Sequence, residues 1–248
     1  MITLKSEREI KLLREANRVV ALVHQTMASA IKPGVSLITL DRIAEKVIRD
    51  NGCTPSCKGY GGFPNSICAS VNDALVHGIP NHYKLKNGDI VTIDVCACYR
   101  GYHGDGAYTY KVGDVSAEAE QLLKVTEEAL YIGLSQVKPG NRVGDISNAI
   151  QTYVESFGYS LPEEYTGHGV GTSIHEDPNI PNVGIAHTGP LLKKGMVMAV
   201  EPMVFAGKKD CVTMSDGWTV KSRDHSLGAH FEHTIVITDD GYEILTKL

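Results

Sequence analysis

The chain states its local grammar twice, and a duplicated chain is constrained to fold as two similar halves packed against each other. A capping box opens the first copy at Ser6-Glu7-Arg8-Glu9, where serine and the glutamate three residues on each satisfy a free backbone N–H. Ile10, Leu13, Ala16, Val20, Val23 and Met27 then recur at helical spacing, the mark of a helix with one buried face. Lys32-Pro33-Gly34 ends that helix, because proline and glycine break it. A second amphipathic helix is expected from about Thr39 to Asn51, stopping at Gly52. The order then returns: Ser116 caps a helix containing Leu122, Leu123, Val125, Ala129 and Ile132, Lys138-Pro139-Gly140 closes it, and another helix ends at Gly158.

The correspondence continues beyond the helices. SICASVNDALVHGIPN (Ser66–Asn81) lies over EYTGHGVGTSIHEDPN (Glu164–Asn179), pairing His77 with His175 and Pro80 with Pro178. LKNGDIVTIDV (Leu85–Val95) lies over LKKGMVMAVEP (Leu192–Pro202), pairing Asp94 with Glu201. GYHGDGAYTY (Gly101–Tyr110) lies over GAHFEHTIVI (Gly228–Ile237), pairing Asp105 with Glu232; about twenty extra residues, with an Asp216-Gly217 turn, precede this last segment. A chain of 248 residues can bury one large core, so one domain over 1–248 is expected, with pseudo-repeats of roughly 1–114 and 115–248.

Each half therefore contributes two carboxylates from strand-like segments. A carboxylate inside a buried strand must be neutralised, hydrogen-bonded or metal-bound, because its desolvation is costly. Two hairpins meeting across a pseudo-two-fold axis would bring all four acids together, and four anions share a site only if cations hold them. Asp94, Asp105, Glu201 and Glu232 are accordingly read as oxygen ligands, with His168 of the glycine-flanked GHGVG loop as the nitrogen donor. This donor set suits Mn²⁺, Fe²⁺, Co²⁺ or Zn²⁺ in a paired site rather than a structural thiolate zinc. Two such ions about 3.5–4 Å apart can share a hydroxide that attacks a carbonyl at neutral pH.

Composition narrows the alternatives. Net charge is −5, and Lys193-Lys194 and Lys208-Lys209 are isolated basic pairs, so no nucleic-acid footprint is visible. The opening stretch MITLKSEREIKLLRE is charged throughout and lacks the apolar core of a signal peptide. No run approaches the roughly 18 apolar residues of a membrane span. Cys53, Cys57, Cys68, Cys96, Cys98 and Cys211 form no paired CxxC pattern and are read as free thiols of a cytoplasmic protein.

TGHGVGTSIHEDP, MVMAVEPMV, HFEHTIVIT and IDVCACYRGYHGDGAYTY together resemble the motif set of the bacterial type I methionine aminopeptidases of peptidase family M24, over essentially the whole chain. The resemblance implies the α/β (α+β) pita-bread fold: pseudo-two-fold duplicated halves with a curved antiparallel sheet covered by helices. It implies that Asp94, Asp105, His168, Glu201 and Glu232 bind two divalent metal ions (Co, Mn, Fe or Zn). Asp105 and Glu232 would bridge both ions, and Asp94 would bind one of them through both oxygens. Removal of the initiator methionine from nascent chains follows when the second residue is small, with the shared hydroxide attacking the first peptide carbonyl. Glu201 would serve as general base; one of His77 and His175 would contact the substrate backbone, and both would stabilise the tetrahedral intermediate. Cys57, Tyr60, Phe63 and Cys68, with Trp218, would form the methionine pocket.

The resemblance also allows a monovalent cation (Na⁺ or K⁺) held by backbone carbonyls near Asn72. Nascent polypeptide N-termini and a transient ribosome contact are the implied partners, with no direct nucleic-acid or membrane contact, and a monomer is expected. Three positions depart from the common pattern: His230 stands where glutamine is usual, Ile174 where an aromatic is frequent, and Cys96 where threonine is common. All three bear on pocket shape and metal preference. Rival readings are a proline-specific aminopeptidase or dipeptidase of the same fold, a metal-free relative such as creatinase, and a non-catalytic peptide-binding module. The first generally carries a large N-terminal domain, whereas here the first helix begins near Ser6. The five-ligand set argues against the other two.

Overall fold

The chain is described over residues 1–248 by a computed structural model. Ser6 opens α1 (Glu7–Ala30) with the expected capping box, the Ser6 N–H donating to Glu9 Oε2 at 2.8 Å. α2 (Leu37–Asp50) follows, then β1 (Thr54–Pro55), a 3₁₀ turn at Tyr60–Gly62, β2 (Cys68–Val71), β3 (Ala74–Val76), β4 (Ile90–Tyr99) and β5 (Tyr102–Lys111). The second half brings α3 (Ala117–Leu134), α4 (Val143–Ser156), β6 (Thr166–Gly169), β7 (Glu176–Pro181), β8 (Val197–Val200), β9 (Met203–Phe205), β10 (Cys211–Thr213), β11 (Val220–Ser222), β12 (Gly228–His230), β13 (His233–Ile237) and β14 (Tyr242–Ile244). Helices and antiparallel strands make the mixed α/β architecture expected from the sequence.

Each helix pair covers its own strands. Val19, Val20, Val23 and Met27 of α1, with Leu40 and Ile48 of α2, pack with Val91, Ile93 and Val95 of β4. Leu122 and Leu130 of α3, with Ile146 and Ile150 of α4, pack with Met198 and Val200 of β8 and Ile235 of β13. Burying such side chains stabilises by about 1.5–3 kcal/mol each, which fixes the helices over the strands.

The strands form a β1-β4-β2 sheet with β5 on the other edge of β4, a β14-β13-β8-β6-β7 sheet, a β10-β11-β3 sheet and a β12-β9 pair. The extra residues of the second half build the β10–β11 hairpin, whose β11 pairs with β3 of the first half. The two halves are stitched where β5 meets the β12–β13 junction. There the Glu232 N–H donates to Ala107 O at 2.9 Å, and the Thr234 hydroxyl donates to Asp105 O at 2.7 Å. From the other side α1 lies against β5 so closely that a Cβ on Gly104 would sit 2.7 Å from the Asn17 nitrogen. Only glycine fits there, and this contact sets the depth of the neighbouring Asp105.

Candidate metal centre and substrate pocket

The long β4–β5 ladder places the first two acids. Asp105 pairs with Cys96, and Asp94 with Ala107, so Asp94, Cys96 and Asp105 share one face as a direct and a diagonal pair. The Asp105 N–H donates to Asn17 Oδ1 at 3.2 Å, and the Cys96 thiol donates to Asp105 Oδ1 at 2.9 Å.

The second half uses different local structure. Asp94 and Asp105 lie within strands, whereas Glu201 directly follows β8 and Glu232 occupies the break between β12 and β13. Glu201 is held through its carbonyl, which accepts from Asn182 Nδ2 at 2.9 Å. His168 lies on a strand rather than in the loop expected from GHGVG: β6 pairs with β7 and β8, with His168 opposite Asn179 and Ala199. The reason is its flanking glycines. A Cβ on Gly167 would approach Ala199 O to 2.5 Å and one on Gly169 would approach Asp177 O to 2.2 Å, so the glycines admit this strand between two others rather than mark a loop.

The electrostatics call for a cation. His168 Nδ1 lies 3.0 Å from Gly169 O; a carbonyl only accepts, so Nδ1 carries the hydrogen and Nε2 a bare lone pair. Burial pushes the imidazole down to about 4, so it is neutral at physiological pH. That lone pair faces Glu201 Oε1 at 3.3 Å and Asp105 Oδ2 at 3.7 Å, so either protons held by the acids or a cation must stand among these three acceptors. Burial, followed for Asp94 and Glu232 by the neighbouring carboxylates, pushes all four acids well above the ordinary range. Asp94 Oδ1, Glu201 Oε1 and Glu232 Oε1 are sealed from solvent without a hydrogen-bond partner. Buried polar atoms are rarely left so, and an oxygen-rich set with an imidazole is the donor chemistry of divalent transition ions. The residues fit the metals that the sequence implies.

A cavity of about 300 Å³ opens on these groups, at the small end of ligand sites. Asp94, Asp105, His168, Glu201 and Glu232 line it together with His77, His175, Cys57, Tyr60, Phe63, Cys68 and Trp218. Every metal, catalytic and pocket residue singled out in the sequence reaches this one cavity, whereas Asn72 lines a separate one. Phe63 and Trp218 meet edge to face at 5.2 Å, and Trp218 stands 6.4 Å from His77 between ring centroids. His77 sits at a left-handed φ of +58°, an uncommon conformation for a residue with a side chain. Tyr60 Oη lies 2.8 Å from His175 Nδ1. Burial pushes His77 down to about 4 and lowers His175, so both rings are neutral at physiological pH. Ile174 is buried with Cys57, Phe63, Cys68 and Cys96, filling the pocket wall with an aliphatic side chain.

Sequence reasoning missed several groups, Val76, Glu164 and Thr166 of the cavity wall among them. Tyr165 and Met203 line the cavity, the tyrosine with its ring 5.8 Å from that of His77. Asn17 carries the Asp105 backbone from within α1. His230, singled out only as a departure from a pattern, stands among the carboxylates. Its signal was available, since it precedes Glu232 by two residues as Asp94 precedes Cys96.

Residues 11–239 match the model of Metallopeptidase family M24. The chain is 54% identical over its full length, and that of its relative, to "Methionine aminopeptidase 1" of Bacillus subtilis. Its structure superposes on that of methionine aminopeptidase from Thermotoga maritima with a TM-score of 0.98 at 44% identity, covering both chains completely. For methionine aminopeptidase from Rickettsia prowazekii the TM-score is 0.97 at 43% identity, covering 99% of this chain and 100% of the other.

Proposed function

The chain belongs to metallopeptidase family M24, with its pita-bread fold, and removes N-terminal methionine from polypeptides; from this premise we propose that Asp94, Asp105, His168, Glu201 and Glu232 hold two divalent metal ions for that hydrolysis. The observation that carries the proposal is the unprotonated His168 Nε2 facing Glu201 Oε1 and Asp105 Oδ2 at 3.3 and 3.7 Å. A divalent ion relieves that contact, and Co, Mn, Fe and Zn all suit the donors. Bound there, the ions would supply Lewis acidity and a water nucleophile at neutral pH.

The chain's own groups do the rest. Glu201 takes the proton of the attacking water and returns it to the leaving amine. With the Tyr60 hydroxyl donating to His175 Nδ1, the other ring nitrogen carries the hydrogen and can donate to the substrate carbonyl as it gains charge. His77, neutral and held at a strained backbone angle, contacts the substrate backbone. Cys57, Tyr60, Phe63, Cys68 and Trp218 receive an unbranched thioether side chain, and a charged first residue would be buried without a partner. The free amine is placed by Asp94, and a small second residue is required. All of this is the work of one catalytic domain over 1–248, with halves 1–114 and 115–248 meeting at the site. A monovalent cation, Na⁺ or K⁺, beside the left-handed turn at Asn72 (φ +54°) completes the reading. Its setting is the cytoplasm, as a monomer acting on nascent chains with transient ribosome contact. No helix is long and apolar enough to cross a membrane.

A peptide panel tests the recognition. Met-Xaa-Ser peptides, with Xaa running from Gly to Ile and Lys, should be cleaved only when Xaa is small. Leu-Ala-Ser, Gly-Pro and N-acetylated Met-Ala-Ser should survive, while norleucine should replace methionine with modest loss, since apolar pockets separate near-isosteres weakly. Efficient cleavage before Lys, or of the acetylated peptide, would show the recognition scheme to be wrong.

The histidines divide by role. His77→Ala and His175→Ala should keep their bound metal yet lose about 10²-fold or more in kcat, the scale of a lost transition-state donor. His168→Ala should lose metal. Elemental analysis and steady-state kinetics on the three variants check this, and a full metal complement in all three would contradict it.

A further inference from the structure

Outside the five motif residues, one more imidazole is buried against the same carboxylates with nothing to bond. His230 is 1% exposed, and neither Nδ1 nor Nε2 has a hydrogen-bond partner. Its position is rigid. Its N–H donates to Thr109 Oγ1 at 2.9 Å, and the Thr109 hydroxyl lies 2.8 Å from its carbonyl. One threonine of β5 thus grips the His230 backbone at both of its polar groups.

The ring reaches the edge of the centre opposite His168. His230 Nε2 lies 3.3 Å from Glu201 Oε2 and 3.9 Å from Glu232 Oε2. These spacings are long for hydrogen bonds to a carboxylate, which close to about 2.7–2.9 Å. They suit donors on one shared ion, since two atoms each about 2.1 Å from a metal stand roughly 3 Å apart at right angles and farther at wider angles. Glu201, His230 and Glu232 form one cluster with ligand spacing, and Asp105, His168 and Glu232 form another. The Glu201 carboxylate lies between the two rings, Oε1 at 3.3 Å from His168 Nε2 and Oε2 at 3.3 Å from His230 Nε2.

The geometry points to His230 Nε2 as a sixth protein ligand, giving each of the two ions an imidazole of its own. This rests on the metal reading of the five motif residues and extends it. It also gives a departure from the common motif a chemical meaning: a second nitrogen donor shifts the centre away from Mn²⁺ and towards Zn²⁺, Co²⁺ or Fe²⁺.

The test is proton NMR of the full chain loaded with two equivalents of Co²⁺. Each imidazole bound to the paramagnetic ion contributes one strongly shifted N–H signal that disappears in D₂O. Two such signals are expected for the wild-type protein and one for His230→Gln. Calorimetric titration should show one Co²⁺ bound about 10- to 100-fold more weakly in the variant, at least the loss seen when a ligand's outer partner is removed. One exchangeable signal in wild-type protein holding two Co²⁺ would overturn the His230 assignment alone. Wild-type protein that takes up no Co²⁺ would overturn it together with the metal reading beneath it. The wild-type spectrum decides by itself, so the test does not depend on the variant folding.

Discussion

Glu232→Ala is expected to lose activity by about 10³-fold or more and to lose tightly held metal with it. The expectation follows from where Glu232 stands. Its backbone N–H stitches the halves through Ala107 O, so removing the side chain leaves that link intact. Its carboxylate is buried with Oε1 unpartnered and belongs to both ligand clusters that contain an imidazole. Membership of two clusters means that its loss should affect both ions, where loss of His168, a member of one, affects chiefly one. Glu232→Gln keeps the volume but removes the charge, and it should show nearly the same deficit while melting close to the metal-free wild-type protein. Asp105→Ala should behave alike, with the Cys96 thiol losing its acceptor as well. Elemental analysis after gel filtration, read beside kcat/KM, measures both losses. Near-normal turnover of Glu232→Ala at saturating Mn²⁺ or Co²⁺ would rule out the metal role proposed for Glu232.

Some of this was legible from residue order, and the pattern of success is physical. The capping box at Ser6 and the apolar spacing of α1 are local signals, and α1 forms where they say. α2 begins at Leu37, two residues before the expected Thr39, because its start is set from a distance. Ser36 makes no side-chain cap, while the Leu37 and Ile38 N–H groups donate to Tyr83 and Asn81 carbonyls. His168 was assigned to a loop because glycines usually break strands, yet here they make room for neighbouring backbones. Asn17 carried no signal at all, being a polar residue inside a helix until β5 is laid against it.

The site residues were easier to find than their settings. The repeat paired Asp94 with Glu201 and Asp105 with Glu232, and all four converge on one cavity. It could not say that the first pair would lie in strand interiors and the second at a strand end and a strand break. A carboxylate on a twisted ladder is aimed by cross-strand register, whereas Glu201 and Glu232 are aimed by the links around Asn182 and Ala107. Such links join residues far apart in sequence, and nothing local encodes them. His230 illustrates the reverse error, since treating it as a pattern mismatch hid that its spacing from Glu232 puts it in the same cluster.

Removing the metal should destabilise the protein more at high pH than at low. In the metal-free fold, burial holds the carboxyls of Asp94, Asp105, Glu201 and Glu232 well above their ordinary range, so the folded chain keeps protons that the unfolded chain releases. A group raised in this way contributes its full stability below the unfolded carboxylate pKa of about 4, and that contribution falls as pH rises towards the folded value. Metal-loaded protein runs the other way, because binding requires ionised carboxylates and expels their protons, so affinity grows with pH. Both trends widen the gap between the two forms on the alkaline side. With the ion at about 100 times its Kd, binding adds about 2.7 kcal/mol, or roughly 5–10 °C in Tm for a domain of this size. Thermal scans with and without a chelator should show that gap near pH 8 (about four units above the unfolded carboxylate value) and a much smaller one near pH 5. Calorimetry in two buffers of different ionisation enthalpy should register proton release as the ions enter. A gap of equal size at both pH values, with no proton release, would mean that these four carboxyls are not the groups the metal displaces protons from.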